Sequence, residues 1–267
     1  MRLSALYRYP LKSARAQALE TSPVGLLGLS GDRRWMLVER DNGRFLTQRA
    51  YPQMSQLSAL YSGDGSLILG APGRASLQVA VPDADSNLRG VTIWRDSFRV
   101  PDAGDEAAQW LSEFIGKDVR LVHVPEQRTR FLPSGYGHND DRVAFADGFP
   151  LLLIGQASLD DLVQKVGRPL EMLRFRPNLV VEGAEPFAED GWKRIRIGEL
   201  ELRVIKPCER CILTTIDPQT GERSPDREPL TTLKTYRQKE GDVLFGQNLV
   251  ADGAGVLEVG MPVTVLE

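Results

Sequence analysis

The sequence predicts a β-rich α+β protein, two packed β-barrel-like domains with a few helices. Three observations carry that expectation: short apolar runs recur between turn signals, only two segments show a helical period, and strand-like runs resume up to the C-terminus. In chain order, Trp35 to Val38, Leu57 to Tyr61, Leu67 to Leu69, Leu77 to Val81 and Val91 to Trp94 read as strands. They are separated by Asp41-Asn42-Gly43, Ser62-Gly63-Asp64-Gly65 and Ala71-Pro72-Gly73. From Asp105 the period changes: Ala107, Trp110, Leu111 and Phe114 share one helical face, with two acids in the first turn to meet the helix dipole. Val119 to Val124 returns to a strand. Pro150 to Ile154 reads as a buried strand, and Ser158-Leu159-Asp160-Asp161 as an approximate capping box opening a helix that runs towards Val166. Asn178 to Glu182 is a strand, Arg194 to Ile205 a hairpin turning at Gly198-Glu199, and Val243 to Val250, Val256 to Val259 and Val263 to Leu266 close the chain as strands.

Between Pro125 and Asp141 no period is sustained, and Pro133, Gly135, Gly137 and Asn139 punctuate the segment. This places a boundary there, dividing the chain into domains 1–125 and 126–267. With 33 basic against 36 acidic side chains in 267 residues, the net charge of -3 offers no overall cationic field for a phosphate backbone. Nucleic acid is not an expected partner, and any anion must be held locally. No stretch approaches the roughly 20 apolar residues that span a bilayer, and the start carries no signal-peptide pattern. The expectation is a soluble, cytoplasmic protein with no membrane partner.

Candidate chemistry concentrates in Lys206-Pro207-Cys208-Glu209-Arg210-Cys211, which holds the chain's two cysteines. They lie too close together to staple a chain of this size, so a disulfide framework is excluded. A thioredoxin-type dithiol places its first cysteine at a helix N-terminus. Here the pair runs into β-branched Ile212, Thr214, Thr215 and Ile216, which predicts a strand instead. A structural zinc site needs four ligands, and the only histidines, His123 and His138, are distant and unpaired in spacing. A small buried hydrophobe in a strand describes Cys208. Cys211, with Lys206 and Arg210 nearby, is the better candidate for a functional thiolate.

The run Cys208 to Pro218, with Glu228-Pro229-Leu230, Leu233-Lys234, Tyr236-Arg237 and Phe245-Gly246-Gln247-Asn248, resembles the signature of the MOSC domain. Tyr9-Pro10-Leu11-Lys12-Ser13, Asp32-Arg33-Arg34-Trp35 and Thr47-Gln48-Arg49 resemble the β-barrel domain that precedes it in the amidoxime-reducing branch. Asp147 with Phe149-Pro150-Leu151 and Phe175-Arg176-Pro177-Asn178 are similar to the same branch. The resemblance covers nearly the whole chain and implies a molybdenum-cofactor enzyme that reduces N-hydroxylated compounds. It implies Cys211 as the molybdenum ligand, with Cys208 packing behind it, and Lys12, Ser13, Arg33, Arg176, Asn178 and Arg210 as residues holding the pterin and its phosphate. Asp147 would line the metal pocket. Glu209 departs from the family, where a small polar residue often stands between the cysteines.

The residues are chemically suited to these implied roles. Arginine binds phosphate through two parallel hydrogen bonds and lysine supplies a point charge. Taken singly, Arg34, Arg49 and Arg174 read as solvated surface charges, Thr214 and Thr215 as strand formers, and Asn178 as either a turn former or an amide pairing with the pterin edge. The expected reaction removes oxygen from a small N-hydroxylated substrate, with Asp147 handling a proton or orienting the substrate. No iron–sulfur or haem ligand set is visible, so electrons are expected from a separate donor of ferredoxin, flavodoxin or cytochrome and reductase type. The rival expectation is a non-redox carrier, in which Cys211 bears a persulfide or the protein stores cofactor.

Overall fold

A computed structural model describes all 267 residues. Strands dominate, as expected, and the largest sheet is also the least local in sequence. Its ladder runs through Gln17–Leu19, Arg2–Arg8, Leu179–Glu182, Leu151–Gly155, Asp242–Ala251, Leu200–Arg210, Arg194–Ile197 and Val263–Val265. A bridge between Arg2 and Pro262, with Leu3 N donating to Met261 O (2.9 Å) and Val263 N to Met1 O (3.1 Å), draws the two ends together into a barrel-like wall. Inside it lie Leu3, Leu6, Leu151, Leu153, Leu179, Ile195, Leu202 and Leu249, all at most 1% exposed.

The two halves expected on either side of residue 125 are interlocked in space. The strand Arg2–Arg8 is built into the sheet of the second half, and Thr21–Gly25 pairs with Gly255–Glu258. The first half keeps its own core, in which Leu11, Trp35, Leu37, Leu67, Leu69, Leu111 and Leu121 pack between Trp35–Glu39, Val119–His123 and a three-stranded sheet over Ser58–Val79.

There are three α-helices. The first (α1, Asp105–Ile115) begins and ends as the sequence predicts, closing on Gly116 in the left-handed region that glycine adopts without penalty. The second (α2, Gln156–Val166) starts two residues before the expected capping box. Ser158 does not cap it: its hydroxyl donates to Glu189 (2.8 Å) and accepts from the Phe187 amide (2.7 Å). Glu189 also accepts from the Gly155 amide (3.0 Å), so a distant carboxylate satisfies the helix start and the local motif is overridden. The third (α3, Leu230–Tyr236) was not expected from a segment rich in threonine. It forms because Leu230 and Leu233, one turn apart, bury against Val243 and Phe245.

Two further expectations fail. The segment after Cys211 is not a strand but a 3-10 turn, Ile212–Thr215, in which Thr214 and Thr215 hydroxyls donate back to the Cys211 and Ile212 carbonyls (3.1 and 2.7 Å). Such hydroxyl back-bonds compete with a strand ladder, and burial of both threonines holds the turn in place. The irregular segment after Pro125 also carries more order than its composition implies. Arg130–Phe131 pairs with Arg142–Val143, and buried Arg130 donates to Ala144 O (3.0 Å) and Asp96 (2.8 Å). No helix is long and apolar enough to cross a membrane.

Candidate active site

A cleft of about 150 Å³ opens where the two halves meet. Lys12, Ser13, Arg33, Asp147, Arg176, Asn178, Arg210 and Cys211, the whole set of candidate site residues from the sequence, line it together with Cys208. They arrive from segments up to 199 positions apart, which the interlocked sheet brings to one place.

The long strand Leu200–Arg210 delivers the cysteines. Cys208 lies within the strand and is half-buried, whereas Cys211 stands one residue past its end, at the start of the 3-10 turn, and is exposed to the cleft. Burial pushes the Cys208 thiol up, which keeps it protonated and suits a packing role. The charges invoked beside Cys211 are engaged elsewhere. Lys206 Nζ pairs with Glu209 (2.6 Å), and Arg210 donates to the carbonyls of Phe245 (2.7 Å) and Phe175 (2.9 Å). One Arg210 nitrogen, Nη2, is buried with no partner. It lies beside Gly246, where a φ of +77° and the approach of Leu153 O, 2.7 Å from where a Cβ would stand, leave room for no side chain.

The opposite wall is cationic. Tyr9 is fully buried, and the Arg33 and Arg176 guanidinium carbons lie 4.3 and 4.2 Å from its ring centroid. Arg33 has a carboxylate partner in Asp32 (2.6 Å) and also donates to Asn178 Oδ1 (2.9 Å) and Arg176 O (3.2 Å). Arg176 has only the Ala14 carbonyl (2.7 Å), and burial, with the neighbouring Arg33 charge, lowers its pKa to about 10. Lys12 Nζ reaches Phe145 O (2.8 Å) and Asp147 Oδ1 (2.5 Å); burial dominates and lowers its pKa to about 8 despite that ion pair. Burial is the main cause at both cations, and because Arg176 has no carboxylate partner, an anion placed against this wall would meet a desolvated, unpaired guanidinium. Ser13, Arg33 and Arg176 all take positive φ (66°, 43° and 55°), a conformation non-glycine residues hold only when their surroundings over-determine it.

Two assignments change in detail. Burial alone would raise the Asp147 carboxylate, but contact with Lys12 outweighs it and holds the group well below the usual range. Asp147 is therefore ionised at neutral pH, and facing the cleft it is an acceptor rather than an acid. Asn178 is 1% exposed, and its amide is spent on the protein: Oδ1 accepts from the Leu152 amide and Arg33, and Nδ2 donates to Tyr7 O. It stitches three strands together and aims Arg33.

Of the arginines read as solvated, none is. Arg34 donates to Val124 O (2.8 Å), Arg174 pairs with Asp217 (2.7 Å), and Arg49 lines the cleft with its guanidinium 4.8 Å from the Trp94 ring centroid. Thr47 and Asn248 also line the cleft. The signal that could have found them was present, since Thr47-Gln48-Arg49 and Gln247-Asn248 belong to the quoted motifs.

No group of three or more His, Cys, Asp and Glu side chains is placed to hold a bare metal ion. A metal here must bring most of its own ligands. One exposed thiol, five converging cations and an orphaned guanidinium nitrogen fit a molybdenum cofactor, which is an anion carrying a phosphate and its own sulfur donors.

Comparison with known proteins agrees with this geometry. Residues 1–118 match the MOSC N-terminal β-barrel domain and residues 140–264 match the MOSC domain. Mitochondrial amidoxime-reducing component 1 of Danio rerio is 35% identical over 98% of this chain and 83% of its own length. The human component 1 is 33% identical over 99% and 82%, and component 2 of Bos taurus is 35% identical over 98% and 82%. The chain therefore belongs to the MOSC family, in the two-domain group that contains the mitochondrial amidoxime-reducing components.

Proposed function

We propose that the protein is a molybdenum-cofactor-dependent reductase of N-hydroxylated compounds: amidoximes, hydroxylamines and N-hydroxylated bases. The observation that carries this reading is the exposed Cys211 thiol facing a cationic wall assembled from distant segments, in a chain similar over nearly its full length to amidoxime-reducing components. Cys211 would hold the metal as a thiolate. Lys12, Ser13, Arg33, Arg176 and Arg210 would hold the pterin and its phosphate, and Asn178 serves by aiming Arg33. When bound, the cofactor supplies the two-electron step that cleaves the N–O bond.

The net reaction, R-NH-OH + 2 e⁻ + 2 H⁺ → R-NH2 + H2O, needs protons as well as electrons. Ionised Asp147 accepts a hydrogen bond from the substrate N–H and orients it. Lys12, lowered to about 8, is the member of the pair whose proton is available near neutral pH, at Nζ and 2.5 Å from Asp147 Oδ1. The two cysteines cannot form a four-cysteine cluster, so electrons are supplied by a separate redox protein.

The test is protein expressed in a cofactor-competent host, assayed for molybdenum, pterin fluorescence and turnover. Loaded protein should reduce benzamidoxime with reduced viologen, and with NADH only after a separate reductase system is added. Loaded protein inert with viologen overturns the reading, and sulfur transfer from Cys211 to an acceptor would establish the carrier instead.

A further inference from the structure

Only three aromatic side chains are exposed in the whole molecule, Trp94 (46%), Phe131 (59%) and Tyr136 (40%), and Trp94 and Tyr136 each touch a residue that lines the cleft. Tyr136 packs edge-on against Phe149, which lines the cleft. Phe131 and Trp94 line a second, more open groove that shares Asp147 with the cleft. Asp147 is thus the point where the groove meets the candidate metal pocket.

Trp94 occupies that junction by construction. It sits at the tip of the hairpin Leu88–Ile93 and Asp96–Pro101, in the left-handed region (φ 54°), and its indole lines the groove. Its Nε1 donates to Asp147 Oδ1 (3.1 Å), the oxygen that also accepts from Lys12. With Arg49 against the ring and Phe45 edge-on at 5.0 Å, the indole still keeps nearly half of its surface open. A tryptophan half open to water, with its N–H committed to a site carboxylate, presents a free ring surface beside the site.

We propose that the groove between Trp94 and Phe131 is the substrate-binding site. In it Trp94 is a specificity-determining residue that stacks on the planar body of an aromatic N-hydroxylated substrate, while Asp147 receives the substrate N–H. This rests on the reductase reading. Lys12 and Trp94 both occupy Asp147 Oδ1, and no protein donor is bonded to Oδ2, which leaves that oxygen for the substrate. The organic part then extends along Trp94 towards Phe131, and its N–O group points past Asp147 into the cleft.

The experiment compares wild type, Trp94→Ala, Trp94→Phe and Phe131→Ala as loaded proteins on benzamidoxime and on the small non-planar substrate N-methylhydroxylamine. Calorimetric binding of benzamidoxime without reductant is the second readout. Loss of one stacking face should raise KM and Kd for benzamidoxime about three- to ten-fold in Trp94→Ala, and by more than KM for N-methylhydroxylamine, which feels only the lost bond to Asp147. Trp94→Phe, which keeps an aromatic face, should recover most of the benzamidoxime affinity. Equal benzamidoxime KM and Kd in wild type and Trp94→Ala, in an enzyme that turns over, would overturn the groove assignment and leave the reductase reading intact. Binding that depends on Trp94 in a protein that never reduces the substrate would support the groove and sink the reductase. Neither binding nor turnover in the loaded wild type rejects both.

Discussion

Cys208 and Cys211 are three positions apart, yet the end of one strand separates their surroundings. Burial keeps the Cys208 thiol protonated against the sheet, while Cys211 faces the cleft. Cys211→Ala should abolish turnover and the metal–thiolate absorption band, whereas Cys208→Ala should retain appreciable activity; loss in the Cys208 variant alone would exchange the two roles. The same cleft shows how strongly a neighbour decides a residue's chemistry. Asp147 stays ionised because Lys12 touches it, and Lys12 is moved towards neutrality chiefly by burial, with Arg130 and Arg33 adding to the shift. Neither state is written in the residue type.

Among the elements, the pairing of Trp35–Glu39 with Val119–His123 carries a liability that pH can reveal. His123 stacks on Trp35 at 4.7 Å, its Nδ1 is buried without a partner, and burial, reinforced by Arg34, lowers its pKa to about 4. Because the folded value lies below the unfolded one, the unfolded chain binds the proton first as pH falls through about 6.5. Stability is therefore lost between about pH 6.5 and 4 and levels off below. At pH 5 the loss from this residue is about 2 kcal/mol. Chemical denaturation at pH 7 and pH 5 should show that difference in wild type and a smaller one in His123→Leu. Equal pH dependence in the two proteins would place the acid sensitivity elsewhere.

At the scale of the whole molecule, the two halves are not beads on a string. Leu3, Leu6, Val24 and Leu29 belong to the same core as Leu153, Leu202 and Leu249, and the strand Arg2–Arg8 supplies the edge that Leu179–Glu182 needs. Removing residues 1–125 would strip four core side chains, expose that strand edge and open the barrel-like wall. The segment 126–267 expressed alone should aggregate or lack a cooperative thermal transition, and supplying residues 1–31 on a flexible linker should restore one. A cooperative transition in the isolated segment would show that the interlocking is dispensable. The cleft stands on this junction, so its geometry depends on the same contacts.

Local pattern in the chain encodes alternating apolar runs, turn glycines, the α1 period, and motifs dense enough to name every cleft residue on the candidate list. Several matters were left to the tertiary structure, because each depends on a partner far away in the chain. Ser158 became a ligand of Glu189 rather than a cap, Thr214 and Thr215 entered a turn rather than a strand, and a threonine-rich segment became α3 by burying two leucines. Arg49 left the surface for the cleft, and Asn178 spent its amide on three strands. Periodicity reports which face of a segment wants to be dry, and only the folded chain decides which carboxylate, ring or carbonyl meets it there.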